Sequence, residues 1–337
     1  MSGNFFEALH QIATEKGITR EMIEEIVQSA MVSAYKKQYG ITKPVDIAFD
    51  RDKNTVKIIS RKLVVRLPKN YAEEISLEDA QKIKPDAKFG DEVVVEENPL
   101  ETFGRIAAQT AKQVILQKIK EAEKNIVYDE YKDKVNELIN GYVQRKTKDA
   151  LYIDLGKTEG IIPGREQSPL EHYKIGDRVK AIVLTVQKNS KGPSVVLSRA
   201  HPKFVEKLFE MEIPEIYDDI VKIVSIVREA GLRTKVAVTS DRDDIDSVGA
   251  CVGMKGVRIQ SIVRELEGEK VDVIEYSPNK KVMATNALTP AKAKEIIETR
   301  DGSVIAVVDN DQYRLAIGKN GHNARLAVKL CGFNIDI

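Results

Sequence analysis

Two stretches decide the fold: Val252-Gly253-Met254-Lys255-Gly256-Val257 and Ile317-Gly318-Lys319-Asn320-Gly321-His322. Each sets a Gly-x-x-Gly tetrapeptide before an amphipathic helical pattern that leads into a short apolar run. One such tetrapeptide is expected about once by chance in a chain of this length and glycine content. Two in matched surroundings are an internal repeat. An offset of 65 residues lays Gly253 on Gly318, Asp246 on Asp311 and Val252 on Ile317, with Lys255 near Lys319 and Gly268 near Gly332.

Outward from the first tetrapeptide, Val221 to Val227 and Thr234 to Val238 read as a hairpin around Gly231. A helix capped by Asp246 follows, then the glycine loop, a helix from Val257 to Leu266, and a strand from Val271 to Tyr276. The second copy reads Glu295 to Glu298, a turn at Asp301-Gly302, Val304 to Val308, and a helix in which Asp311 is expected to cap as Asp246 does. The loop, a helix from His322 to Leu330 and a strand from Asn334 to Ile337 complete it. Strand, strand, helix, Gly-x-x-Gly, helix, strand is the pattern of the RNA-binding KH domain.

The chemistry of the loop supports that reading. A turn that approaches a sugar-phosphate backbone needs residues without Cβ, which take unusual dihedrals and leave no steric block. The amides that open the next helix then add positive potential to Lys255 or Lys319. The expected apolar stripes are Ile259, Ile262, Val263 and Leu266 in one copy and Ala324, Ala327, Val328 and Cys331 in the other. The remaining faces present Arg258 in the first, and Arg325 with Lys329 in the second. Candidate RNA-binding residues are therefore Gly253, Met254, Lys255, Gly256, Arg258, Gly318, Lys319, Asn320, Gly321, Arg325 and Lys329.

A nucleotide-binding phosphate loop fails on spacing, because it needs four residues between its glycines and a Ser or Thr after its Lys, where Asn320 stands here. The acidic run Asp241, Asp243, Asp244, Asp246 reads as a solvated loop ending in a helix cap rather than a metal site. His10, His172, His201 and His322 form no constellation with a nucleophile, and His322 lies where it either touches phosphate or does not. No catalytic residue, metal or cofactor is expected.

Residues 135–199 read as five short strands: Leu138 to Arg145, Ala150 to Leu155, Gly160 to Pro163, Arg178 to Val186 and Ser194 to Ser198, broken at Gly156, Gly164, Gly176 and Gly192. Five strands at that spacing suit a small OB-fold β-barrel. Alternation turns Leu151, Ile153 and Leu155 inward and leaves Tyr152 and Asp154 outside, beside Tyr142 and Gln144. With Arg145, Lys146 and Lys148 nearby, Tyr142 and Tyr152 either stack bases or simply cover the barrel. Upstream, Phe6, Leu9, Ile12 and Ala13, then Ile23, Ile26, Val27, Ala30, Met31 and Ala34, give a helix pair with Thr19 as the second cap. Alternating stretches follow at Val45 to Phe49, Val56 to Ser60, Leu63 to Leu67 and Asp91 to Glu96, with turn residues between them, and a long charged helix runs from Glu101 to about Glu130. The segment from His201 to Ile216 carries Phe204, Leu208 and Phe209 with little Gly or Ser, which predicts a packed junction rather than a tether.

At 337 residues, two to three domains are expected from length, and the mixed helical and alternating patterns make the class multidomain α+β. With 53 basic against 52 acidic residues the net charge is +1. Any nucleic-acid affinity must come from local patches rather than from a field over the whole molecule. Cys251 and Cys331 stand apart at apolar positions and read as reduced core residues. No run approaches the roughly 18 apolar residues of a membrane span, and the start lacks a signal-peptide pattern, so a cytoplasmic protein with no membrane partner is expected.

The order α/β domain, long helix, OB barrel, KH, KH resembles the NusA family of bacterial transcription termination/antitermination factors. The match extends to wording: Phe103-Gly104-Arg105-Ile106-Ala107-Ala108-Gln109-Thr110-Ala111-Lys112-Gln113, Val248 through Gly256, Ile213-Pro214-Glu215-Ile216 and Ala316 through Gly321 look like that family's signature runs. The resemblance spans essentially the whole chain. It implies an N-terminal RNA polymerase-binding domain with its connecting helix at 1–130, a barrel of the ribosomal S1 type at 131–200, and KH domains of the prokaryotic type at 201–278 and 279–337. It further implies a non-enzymatic, monomeric factor that meets core RNA polymerase, nascent single-stranded RNA and other elongation or antitermination factors, and so modulates pausing, termination and antitermination. Two departures stand out. Ile161, Ile162 and Pro163 replace the aromatic usual in the third barrel strand, and the acidic C-terminal repeats of some members do not appear in this sequence. The alternatives are an accessory RNA-processing or degradation protein, or a ribosome-associated RNA-binding protein.

Overall fold

The structure is a computed structural model that describes residues 11, 14, 15, 17–40, 45–50, 55–97, 105–189 and 192–337. Phe6, Leu9, Ile12 and Ala13 of the first expected helix, and the Phe103-Gly104 start of the signature run, lie outside the described residues. The chain divides into two compact units, 1–129 and 130–337.

In the first unit, α1 (Arg20–Tyr39) opens on Thr19, whose hydroxyl accepts from the Met22 amide at 3.3 Å, and closes on Gly40 in the left-handed region at φ 65°. Its stripe of Ile23, Val27, Ala30, Met31 and Ala34 is buried against Ile47 and Ile58 of the sheet and Ile115 and Ile119 of the long helix α3 (Arg105–Lys132). The sheet comprises β1 (Val45–Asp50), β2 (Thr55–Val65), β3 (Glu74–Ser76) and β4 (Glu92–Glu97). β2 is central: β1 and β3 lie along one edge and β4 along the other. The two strands expected at Val56 to Ser60 and Leu63 to Leu67 are thus one strand of eleven residues that ends at Val65. Arg61-Lys62 reads as a turn in sequence, but Lys62 is buried and satisfied by the Glu97 carboxylate and the Tyr71 carbonyl, so the ladder continues through it. A short helix that the sequence pattern does not reveal, α2 (Leu77–Ile83), is capped by Ser76 and packs Ala80 against Val64 and Val93.

The second unit begins with a closed barrel of β5 (Leu138–Lys146), β6 (Ala150–Asp154), β7 (Glu159–Pro163), β8 (Arg178–Asn189) and β9 (Gly192–Ser198) in the order β5-β6-β7-β9-β8. Alternation holds: Val143, Leu151, Ile153, Ile162 and Leu197 are buried, while Tyr142, Gln144 and Asp154 are exposed. Only glycine fits position 141, where a Cβ would lie 2.4 Å from Ile153 Cγ2 and 2.6 Å from the Asp154 carbonyl oxygen.

Two copies of one αββααβ unit follow. The first is α4 (Pro202–Glu212), a short turn of helix α5 (Pro214–Tyr217), β10 (Val221–Glu229), β11 (Arg233–Ser240), α6 (Ser247–Val252), α7 (Val257–Glu265) and β12 (Lys270–Glu275). The second is α8 (Lys280–Ala287), β13 (Ala293–Glu298), β14 (Val304–Val308), α9 (Asn310–Ile317), α10 (His322–Cys331) and β15 (Ile335–Asp336). In each sheet the first two strands are antiparallel and the third is parallel to the second. The segment expected to be a packed junction is α4 itself, with Phe204, Val205, Leu208 and Phe209 fully buried in the first KH core.

Two corrections follow from local geometry. Asp311 does not cap its helix: α9 starts earlier than the 65-residue offset implies, Asp309 is its N-cap, and Asp311 lies in the first turn. The buried stripe of α10 is Asn323, Leu326, Ala327 and Leu330, while Ala324, Val328 and Cys331 are only half-buried. The helix lies between its own core and strands β10 and β11 of the first KH unit, so it is covered over a wider arc than one face.

Barrel and first KH unit meet through a buried ion network. Arg199 is 2% exposed and donates to both Glu171 carboxylate oxygens at 2.5 and 2.7 Å, to the Lys180 carbonyl at 2.5 Å, and to the Glu265 side chain at 3.0 Å and carbonyl at 2.7 Å. Arg228 grips Glu269, both side chains at zero exposure, and donates to the Arg199 carbonyl at 2.5 Å. Burial works against the Arg199 charge, but Glu171 and Glu265 outweigh it and hold its pKa above the ordinary arginine value. Removing one partner leaves a buried, uncompensated carboxylate, so Arg199→Ala is expected to cost about 3–5 kcal/mol. Urea unfolding followed by circular dichroism measures it; a loss below about 1 kcal/mol would contradict the reading.

Candidate nucleic-acid interface

The two glycine loops have the same backbone. Gly253 and Gly318 lie at φ 74° and 72° with ψ 170° and 171°, and Gly256 and Gly321 both at φ 76°. Between them Lys255 and Asn320 take φ 53° and 52°, left-handed values that asparagine tolerates better than lysine. By position, then, Lys255 corresponds to Asn320 and Met254 to Lys319, so each loop offers one ammonium group from a different place. Both lysines are exposed, as is Met254 at 88%. No side chain caps the helices that start at Val257 and His322; the first amide of each donates to the Met254 or Lys319 carbonyl, so an anion beside each loop would be met by amides further into the first turn.

Glycine is required at the first loop position for a second reason. A Cβ on Gly253 would lie 2.9 Å from Arg258 Cγ, and one on Gly318 would lie 2.9 Å from the Asn323 backbone nitrogen and Cβ. Arg258 and Asn323 are themselves equivalent at the 65-residue offset, and they do the same work. Arg258 Nη1 donates to the Ala250 carbonyl at 2.6 Å and to Glu215 at 2.8 Å. Asn323 Nδ2 lies 3.2 Å from the Leu315 carbonyl and 3.0 Å from those of Ala316 and Leu288, and Asn323 Oδ1 accepts from Arg233 at 3.3 Å. Each residue ties the end of the helix before its loop to the helix after it. Arg258 thus has its guanidinium engaged within the protein, and the sequence pattern carries no signal for Asn323 beyond its offset to Arg258.

The other candidates divide. Lys329 is exposed with no partner among the described residues. Arg325 Nε donates to Glu229 of the first KH unit at 3.0 Å, and His322 faces the same carboxylate, so both join the two KH units. Burial raises the Glu229 pKa, but His322 and Arg325 outweigh it and hold the carboxyl below its ordinary value. Exposed apolar side chains lie beside the loops, Val257 at 63% and Tyr313 and Leu315 at 47% each; they give no signal in the sequence because they break the apolar stripe. On the barrel, Tyr142 is 58% exposed, whereas Tyr152 is half-buried with the Arg145 guanidinium 3.3 Å from its ring centroid. Arg145 also pairs with Glu159 at 3.1 Å, so Tyr142 is the freer ring of the two.

Several of the remaining polar residues have structural partners. Asp241 pairs with Lys222, Asp244 with Arg242, and Asp246 accepts from the Gly249 amide at 2.8 Å. Burial pushes the Cys251 and Cys331 thiols up to about 12, so both stay protonated. Among the described residues no group of His, Cys, Asp and Glu could hold a metal ion, and no helix is long and apolar enough to cross a membrane.

Family models match along the chain: the NusA N-terminal domain over residues 4–125, the S1 RNA binding domain over 132–198, the NusA-like first KH domain over 199–276 and the NusA-like second KH domain over 280–337. The transcription termination/antitermination protein NusA of Bacillus subtilis is 44% identical over all of this chain and 91% of its own length. The chain belongs to the NusA family. The NusA proteins of Halalkalibacterium halodurans and Thermus thermophilus are 42% and 39% identical, over 100% and 99% of this chain and 88% and 89% of theirs. This NusA-family chain therefore joins an S1 RNA-binding barrel to two RNA-binding KH units.

Because Asn323 serves several backbone carbonyls from a fully buried position, Asn323→Ala is expected to destabilise the protein by about 1–3 kcal/mol. Asn323→Asp should cost more, since it turns a carboxylate oxygen toward those carbonyls. Thermal unfolding of both variants checks the order, and Asp tolerated better than Ala would contradict the assignment.

Proposed function

We propose that this protein is a non-enzymatic transcription factor that holds nascent single-stranded RNA on its barrel and paired KH loops while residues 1–130 associate with core RNA polymerase. One observation carries the RNA half of the reading: two loops of matching backbone, each with an exposed lysine and an uncapped helix start, lie in one compact unit. Backbone amides and ammonium groups at close-approach glycines recognise phosphate without reading sequence. The exposed Met254, Val257, Tyr313 and Leu315 offer apolar contact to unstacked bases beside them.

The polymerase half rests on family membership. Its relatives are named for termination and antitermination, and a body bound to both polymerase and transcript raises the effective concentration of each RNA site for the strand being made. In this reading the domains are 1–130 for polymerase, 131–200 for the barrel, and 201–278 and 279–337 for the KH pair. The protein works as a cytoplasmic monomer alongside other elongation or antitermination factors, and shifts the balance among pausing, termination and antitermination. RNA contact comes from Lys255, Lys319, Asn320, Lys329, Met254 and Tyr142 directly. Gly253, Gly256, Gly318 and Gly321 admit the strand, Arg258 positions its loop, Arg325 and His322 fix the KH pair, and Tyr152 supports the barrel face.

Replacing Met254-Lys255 and Lys319-Asn320 each by Asp-Asp is expected to weaken single-stranded RNA binding at least tenfold while leaving the unfolding midpoint nearly unchanged, since all four side chains are exposed. The salt dependence should flatten, by about 0.7 in log–log slope for each phosphate that the variant no longer neutralises. Fluorescence anisotropy across a salt series measures both, and unchanged affinity in both variants would remove the loops from the interface.

A further inference from the structure

The outer faces of the two KH sheets are equivalent, yet only one is covered. Both first strands carry an irregularity at the same place, between Ile223 and Ser225 and between Ala293 and Glu295. Beyond it the cross-strand pairs are Ser225 with Ala237 and Val227 with Lys235 in the first sheet, and Glu295 with Val307 and Ile297 with Ile305 in the second. The third strands agree as well: Lys235 pairs with Asp272 and Ile305 with Asp336. Val227, Lys235, Ala237 and Asp272 therefore correspond to Ile297, Ile305, Val307 and Asp336.

In the first sheet this face lies under the second KH unit. Ala237 and Lys235 have zero exposure, and Ala237 with half-buried Val227 shares a core with Ala284, Ala287 and Leu288 at α8 and Ala327 of α10. The Lys235 ammonium is neutralised by Asp272 at 3.0 Å and donates to the Thr289 carbonyl at 2.6 Å. In the second sheet the same positions are open: Ile297, Ile305 and Val307 are 42%, 40% and 38% exposed. At its centre the open face is the more apolar, because Ile305 stands where the covered face has Lys235, while at its edge Glu295 stands where the covered face has Ser225. Among the described residues, Asp336, equivalent to Asp272, consequently has no cation beside it, and Glu295 next to Val307 is exposed and unpaired.

We propose that this outer face of the second KH sheet docks an amphipathic helix of a partner protein, with an Ala/Leu stripe over Ile297, Ile305 and Val307 and lysine or arginine at its flanks to meet Glu295 and Asp336. The occupant is a helix because small and aliphatic helix side chains cover the equivalent face inside this chain. It is basic because the two carboxylates lack cations. A second copy of the chain does not supply it in the same mode, since each copy's α8–α10 layer is already covered by its own first sheet. Nucleic acid does not fit a face whose free charges are both negative. The proposal is independent of RNA binding by the glycine loops.

The test uses the full chain and two synthetic 18-residue helical peptides with the same Ala/Leu stripe, one flanked by lysine and arginine and one by glutamate. Isothermal titration should show the basic peptide binding in the micromolar range and the acidic peptide at least about tenfold more weakly. Ile305→Lys gives Asp336 the cation that Lys235 gives Asp272, and Glu295→Lys leaves the apolar trio intact. Each should weaken the basic peptide about tenfold, with RNA affinity unchanged as evidence that the fold is intact. No binding at millimolar peptide, equal binding of the two peptides, or indifference to both substitutions would overturn the proposal. So would self-association of the chain that Ile305→Lys abolishes, or RNA that competes with the peptide for this face.

Discussion

The joint between barrel and first KH unit depends on two arginines whose side chains are almost wholly buried. Arg199 and Arg228 sit at the seam between barrel and first KH unit, and each guanidinium is met by a carboxylate and by backbone carbonyls. A buried charge is tolerable only when its partners are this complete, and completeness leaves little freedom of arrangement. The seam is continued by α4, whose Phe204 and Phe209 fill the core beneath it. Glu229, His322 and Arg325 add a third joint between the KH units. Barrel and both loops are thereby parts of one compact unit, so under the proposed function a strand held at one site would find the next without a fresh loss of translational entropy.

Within that body the glycine loops show how one geometry is reached by two chemistries. A guanidinium in one copy and a carboxamide in the other tie the preceding helix to the following one, and both press against a glycine that no side chain could replace. The lysines also differ in place, at the third loop position in one copy and the second in the other. What the copies share is the backbone path and the open helix start, which is what phosphate recognition uses. The outer sheet faces diverge in the opposite sense: Lys235 is coverable only with Asp272 beside it, whereas Ile305 leaves an apolar surface and an unpaired Asp336.

How much of this is legible in the chain follows from which forces act locally. Barrel strands, both KH hairpins, the Thr19 cap and the glycine loops can be read because alternation, capping and left-handed turns are set by neighbours in sequence. Lys62 reads wrongly as a turn, and Arg258 as a free basic residue, because their partners Glu97 and Glu215 lie 35 and 43 residues away. The helix α8 is hidden for a related reason: Met283, Ala284 and Ala287 are buried among residues of both KH units, so its apolar positions form no narrow stripe. The first-turn role of Asp311 shows the limit of a fixed offset, since α9 is two residues longer than α6.

If barrel and KH pair grip one strand as one rigid body, the affinity for unstructured RNA as a function of its length is the most direct test. A single Gly-x-x-Gly loop clamps about four nucleotides. A rigid body carrying several sites predicts that affinity keeps rising well beyond that length, and that Arg199→Ala flattens the rise while leaving the affinity for the shortest RNAs intact. An affinity that levels off near one loop's footprint, or a length dependence indifferent to Arg199, would contradict it.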